Sequence, residues 1–143
     1  MRLFLSSTNT GDHSLIKIDE ARNSFMIETV SLDDFINEHC SVNEKINLVK
    51  IDVQGAEWMV LQGMSSLLKE KRVSTIITEF EPFLIEKSGI KPINFLKYLV
   101  DLGFNLYEIN ERKRKLVRIN IEELLEKYPA NNRNYTNLLC KLD

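Results

Sequence analysis

Residues 48–57 read Leu-Val-Lys-Ile-Asp-Val-Gln-Gly-Ala-Glu. Leu48, Val49, Ile51 and Val53 make an apolar run that carries one acid near its end, Asp52. Gly55 breaks the run, and a helical period starts at Ala56. In an open α/β sheet, ligands sit where a strand tip passes through a glycine turn into a helix. The stretch predicts such a sheet, with Asp52 at the mouth of a pocket and not inside the core.

Downstream, the spacing predicts a helix over 56–71. Its apolar stripe is Trp58, Val60, Leu61, Met64, Leu67 and Leu68, with Trp58 and Met64 as core, and Lys69, Glu70, Lys71 and Arg72 form a solvated end. The β-branched run 73–80 is the clearest second strand, and it too ends in acids, Glu79 and Glu81 before Pro82, with Glu81 read as a turn residue. Pro92 suits the first turn of the next helix, which Gly103 stops. A third strand is expected over 104–109. A charged hairpin tip holding Arg112, Lys113, Arg114 and Lys115 follows, then a return strand at 116–119. A helix over 121–128, a polar loop at 131–134 and a closing strand over 136–142 complete the chain. Strand, helix, strand, helix, strand in succession implies right-handed crossovers and a mostly parallel sheet with flanking helices.

Upstream, 3–5, 14–18 and 25–30 read as strands of an N-terminal β excursion leading into the sheet, with turn chemistry at 6–12. Ser31 caps a helix whose Asp33 and Asp34 suit the positive end of the dipole, and Leu32, Phe35 and Ile36 form its apolar face. A loop at 43–45 precedes the decisive strand. The 143 residues fit one domain, an excursion over 1–30 and a strand/helix core over 31–143. A net charge of −2 gives no electrostatic case for nucleic acid or an anionic membrane. Cys40 and Cys140 match no metal or redox spacing. With no secretory leader or membrane span in the opening residues, they point to a reducing cytoplasm.

Lys50-Ile-Asp-Val-Gln-Gly-Ala-Glu57, then Val60-Leu61-x-Gly63, then a strand ending at Glu79 resemble the FkbM-type family of S-adenosylmethionine-dependent methyltransferases. Asn9-x-Gly11-x-x-Ser14-Leu15 and Val30-Ser31-Leu32-Asp33-Asp34 resemble the segments that precede this block in the family. The resemblance implies a partial Rossmann-like class I methyltransferase fold, S-adenosylmethionine as cofactor, and O-methylation of a hydroxyl on a glycan, lipid or secondary metabolite. It spans most of the chain but corresponds to the back half of a family domain. The front half implied by the family would bring a glycine-rich turn and an acid for the ribose hydroxyls. The five glycines here form no G-x-G-x-x-G cluster. The chain is therefore expected to be an incomplete domain, a gene fragment or one partner of two, with an open sheet edge through which it self-associates. Gln54 stands where the family usually has glutamate, and it keeps hydrogen bonds but not a carboxylate's charge.

Methylation of a hydroxyl needs the acceptor held in line and its proton received. Asp52 and Glu57, on either side of one glycine turn, are expected to converge on the pocket. Asp52 would position or deprotonate the acceptor, and Glu57 would assist by orientation. Glu57 is also favoured at a helix start by the dipole alone. Glu79, Gln54 and His13 are the candidate acceptor-binding residues. Glu79 would equally suit pairing with a lysine, and His13 the surface of a loop. No metal site is expected. Two other classes compete. A phosphoacceptor receiver domain would need paired acids at an earlier strand end and a lysine at a later one, and neither is found. A non-catalytic methyltransferase-like module would bind a partner chain through its sheet edge.

Overall fold

The computed structural model describes residues 1–7, 9–18, 22–41 and 44–143. Thr8, in the turn at 6–12, and Asn43, in the loop at 43–45, lie outside the described residues. Arg2–Phe4 (β1) pairs antiparallel with Ser24–Met26 (β2) in a small sheet of its own, so the excursion does not lead into the main sheet. Residues 14–18 are not a strand, and Ser14 makes only one bridge to Phe4. The Ser14 hydroxyl is drawn off the ladder toward the decisive turn, donating to the Gln54 carbonyl at 2.6 Å.

Leu32–His39 (α1) starts as its sequence dictates, the Ser31 hydroxyl accepting the Asp34 N–H at 3.0 Å. Phe35 stays exposed and stacks on His39 instead of joining the core. Val49–Ile51 (β3) is followed by Glu57–Gly63 (α2) and Ser65–Lys69 (α3). The single helix expected over 56–71 is thus two, broken at Met64 (φ −125°). Asp33 of α1 holds the break, its carboxylate accepting the Ser66 and Leu67 N–H groups at 2.9 and 3.0 Å. Arg72 is buried, not solvated, because its guanidinium donates to the Glu44 and Ser41 carbonyls.

Thr75–Phe80 (β4) leads into Pro82–Lys87 (α4), a helix the sequence reading missed. Proline next to an acid reads as a turn, yet here Pro82 occupies the first helical turn, where a missing N–H costs nothing. Pro92–Asp101 (α5), Asn105–Asn110 (β5), Lys115–Arg118 (β6), Ile121–Lys127 (α6) and Thr136–Lys141 (β7) follow within a residue or two of expectation.

The fold is α/β, with a five-stranded sheet in the order β3-β4-β7-β5-β6. The expected mostly parallel sheet is corrected here. β3, β4 and β5 run the same way, but β7 enters antiparallel between β4 and β5, and only β3–β4 is a parallel pair. Alternation along a strand fixes which side chains face the core but not the strand's direction. Ile51, Ile76, Phe80, Leu106, Leu138 and Cys140 face one way and join Leu61, Met64, Leu67, Phe95, Leu99 and Leu124 of the helices in a single core. Ile77, Tyr107 and Leu139, on the opposite face, stay half-buried outside it. No helix among the described residues is long and apolar enough to cross a membrane.

Candidate functional site

The carboxyl ends of β3 and β4 lie side by side, Ile51 in register with Thr78. This sets the turn after β3 against Glu79. Asp52 leaves the strand on the same side as Lys50, which donates to it at 2.6 Å. That hydrogen bond, opposed in part by burial and aided by the charge of Lys50, holds the Asp52 carboxyl below its ordinary range. The side chain is half exposed.

After Val53, two residues take the left-handed region, Gln54 at φ +50° and Gly55 at φ +95°. Glycine does so freely, whereas glutamine needs external support. Three contacts supply it. Ser14 holds the Gln54 carbonyl, and Glu57 turns back to accept the Val53 and Gly55 N–H groups at 3.4 and 3.2 Å. The Gln54 amide donates to Asp52 at 3.3 Å and to Glu79 at 3.1 Å.

Of the expected site residues, Asp52, Gln54 and Glu79 are therefore brought together, with the amide as the link. Glu57 does not converge on the pocket. It is 2 % exposed and spends its carboxylate on the backbone of the turn, with burial raising its pKa. His13 does not line the site either, and its Nδ1 accepts the Ser6 N–H at 3.0 Å.

A cavity of about 410 Å³ opens beside Gln54 and Glu79. One wall is the short 3₁₀ turn Thr10–Asp12, presenting Asn9, Gly11 and Asp12. The opposite wall is Glu81, Arg133 and Tyr135. Arg133 donates to Glu81 at 2.7 Å across 52 residues, and Asp12 is paired with Arg22. Sequence reading assigned Glu81 to a turn and Arg133 to a polar loop, since no local spacing links residues so far apart. Asp52 sits at the rim and reaches the cavity through Gln54.

Among the acids at the cavity, Glu79 is strongly altered by its surroundings. Burial first, then the charges of Glu57, Asp52 and Glu81, push its carboxyl up to about 7, against the pull of Arg133. A carboxyl near neutrality in a cleft is placed to receive a proton from a bound hydroxyl.

The site does not supply a cradle for a nucleotide-like cofactor. Of the five glycines only Gly55 follows a strand, and its open side is already filled. A Cβ there would lie 2.9 Å from the Cβ of Leu84, so the close approach serves α4 and leaves no room for a ligand backbone. Among the described residues no strand pairs with the outer edge of β3.

A family model described as "Methyltransferase FkbM domain" matches residues 3–106. No curated protein and no solved structure matches the chain.

Proposed function

The chain belongs to the FkbM methyltransferase family, and on that premise we propose that it forms the acceptor-binding, proton-handling half of an S-adenosylmethionine-dependent O-methyltransferase. Membership implies that cofactor in general. The residues of this chain do not fit it alone, and the remaining wall would stand along the outer edge of β3, on further chain or a partner. The acceptor is a hydroxyl on a glycan, lipid or secondary metabolite, seated in the cavity between the 3₁₀ turn and Arg133.

The observation that carries the reading is the Asp52–Gln54–Glu79 chain, with Glu79 poised near neutrality at the cavity wall. Ionised Asp52 accepts from the Gln54 amide and so positions the acceptor through that side chain. Glu79, in its ionised fraction, takes the hydroxyl proton and becomes the neutral acid. Glu57 acts through the turn as a positioning residue. The free thiols Cys40 and Cys140 suit a cytoplasmic setting.

The test is transfer of labelled methyl from S-adenosylmethionine to a panel of hydroxyl acceptors. Glu79→Gln is expected to lower kcat by about 10²–10⁴, and Asp52→Asn to act mainly on KM. Unchanged turnover in both variants would overturn these roles. A second reading, a non-catalytic module that associates through its sheet, is favoured by the unpaired edge of β3 and by Leu48, exposed beside it. Calorimetry with S-adenosylmethionine separates the two: binding supports the enzyme, and silence together with self-association supports the module.

A further inference from the structure

We infer that the acceptor crevice continues past Tyr135 into a second subsite, and that the two together seat a neutral oligosaccharide. The inference rests on the methyl-transfer reading for what is done to the sugar, but not for how the sugar is held. A second cavity, of about 380 Å³, opens over the ends of β5 and β7, and Tyr135 lines both cavities. Each alone is near the lower end of the ~300–1,000 Å³ usual for ligand sites. Joined at one shared side chain, they make a groove suited to a chain-like ligand.

The second cavity lies beyond the family match, which ends at residue 106, so its residues fall outside the matched block. Asn110, whose amide oxygen takes the Lys113 N–H, keeps its amide N–H groups for a ligand, and Asn137, whose amide nitrogen donates to Glu111, keeps its amide oxygen. Tyr135, 56 % exposed, offers a ring face with a polar tip at the junction, a surface on which the C–H face of a pyranose stacks. In the first cavity Gln54, whose amide nitrogen is taken by Asp52 and Glu79, adds an amide oxygen, and Asn9, whose oxygen takes the Gly11 N–H, adds amide N–H groups.

Charge decides against an ionic ligand. Glu81 is held by Arg133 and Asp12 by Arg22. Glu108, buried at the floor of the second cavity, takes Lys127 on both carboxylate oxygens at 2.6 and 2.7 Å and the Tyr128 hydroxyl as well. At the rim Glu111 accepts from the Asn137 side-chain amide at 3.2 Å, and Arg112 stands exposed beside it. Of the basic groups lining the two cavities, Lys127 and Arg133 are held by Glu108 and Glu81 and only Arg112 is left at the exposed rim, so neither cavity gathers the cations a phosphate or carboxylate would need. Amides, hydroxyls and a phenol ring remain, and a polyol's alternating donors and acceptors suit them.

The test follows backbone and side-chain amides of the ¹⁵N-labelled chain by NMR, without cofactor, against cellotriose, maltotriose, chitotriose and glucose. Binding of at least one trisaccharide is expected to shift the side-chain amides of both Gln54 and Asn137, while glucose shifts those of one cavity only. Tyr135→Ala should weaken the trisaccharide about tenfold, and Tyr135→Phe, which keeps the ring, should retain it. The inference is overturned if no trisaccharide binds, if shifts stay within one cavity, or if Tyr135→Ala binds as the parent does. Sugar binding without methyl transfer to any acceptor would remove the enzymatic reading and leave the groove. Turnover of simple alcohols with no sugar binding would do the reverse.

Discussion

Glu79 is ringed by three carboxylates, Asp52, Glu57 and Glu81, with Arg133 as the opposing charge. Its folded-state pKa of about 7 stands above the ordinary 4.5. The sign follows from which form the fold favours. The neutral acid is preferred, so the stability it lends is complete below about pH 4.5 and is lost as pH rises through 7. A ¹³C titration of the glutamate carboxyls should show one midpoint near 7. Arg133→Met should move that midpoint upward by removing the positive charge that lowers it, and an unmoved midpoint would break the assignment. Asp52 and Glu79 were legible in sequence because each is an acid at the end of an apolar run. The left-handed backbone of Gln54 was not, since the neighbouring Gly55 already accounts for the turn. Nor was the Glu81–Arg133 pair, which exists only once β4 and the loop before β7 are side by side.

Helix starts were readable where their signals are local: Ser31 before α1 and Pro92 in α5. What escaped depends on tertiary neighbours, as with the break at Met64 that Asp33 caps from another helix. Asp33→Ala is expected to cost about 1 kcal/mol by urea unfolding, with Asp34→Ala at a similar or smaller cost. Gly55→Ala should cost about 2–4 kcal/mol, combining a left-handed φ with the contact on Leu84. Lys127→Met leaves the buried Glu108 carboxylate without its cation. The expected loss is about 1–2 kcal/mol, discounted because Lys127 is itself half exposed. Burial opposes the charge of Glu108, yet the hydrogen bonds from Lys127 and Tyr128 outweigh it and hold the pKa below the ordinary value. Its contribution is therefore present above about pH 4.5 and lost as pH falls through the folded pKa. The acid limb of the stability profile should flatten in Lys127→Met.

The whole sheet has two unlike rims. β6 at one rim carries Lys115 and Arg118, the kind of charge that discourages further pairing. β3 at the other rim reads Val-Lys-Ile and has exposed Leu48 beside it. Association is expected to run through β3. Sedimentation velocity should show concentration-dependent growth in the parent chain, and Leu48→Lys should abolish it. Growth that persists in Leu48→Lys would place the contact elsewhere. The α/β class and the strand count of the core followed from apolar runs and their spacing. The insertion of β7 did not, because a strand's heading depends on which neighbours still need backbone partners.

That insertion has a consequence for biosynthesis. The ladder joining β4 to β5 is made of residues 136–141, so the β3–β4 pair and the β5–β6 hairpin cannot be welded into one sheet until those residues have cleared the ribosome. At ~5–20 residues per second, the earlier segments wait for several seconds with raw hydrogen-bonding borders. Those borders stay open until β7 arrives as the keystone between them.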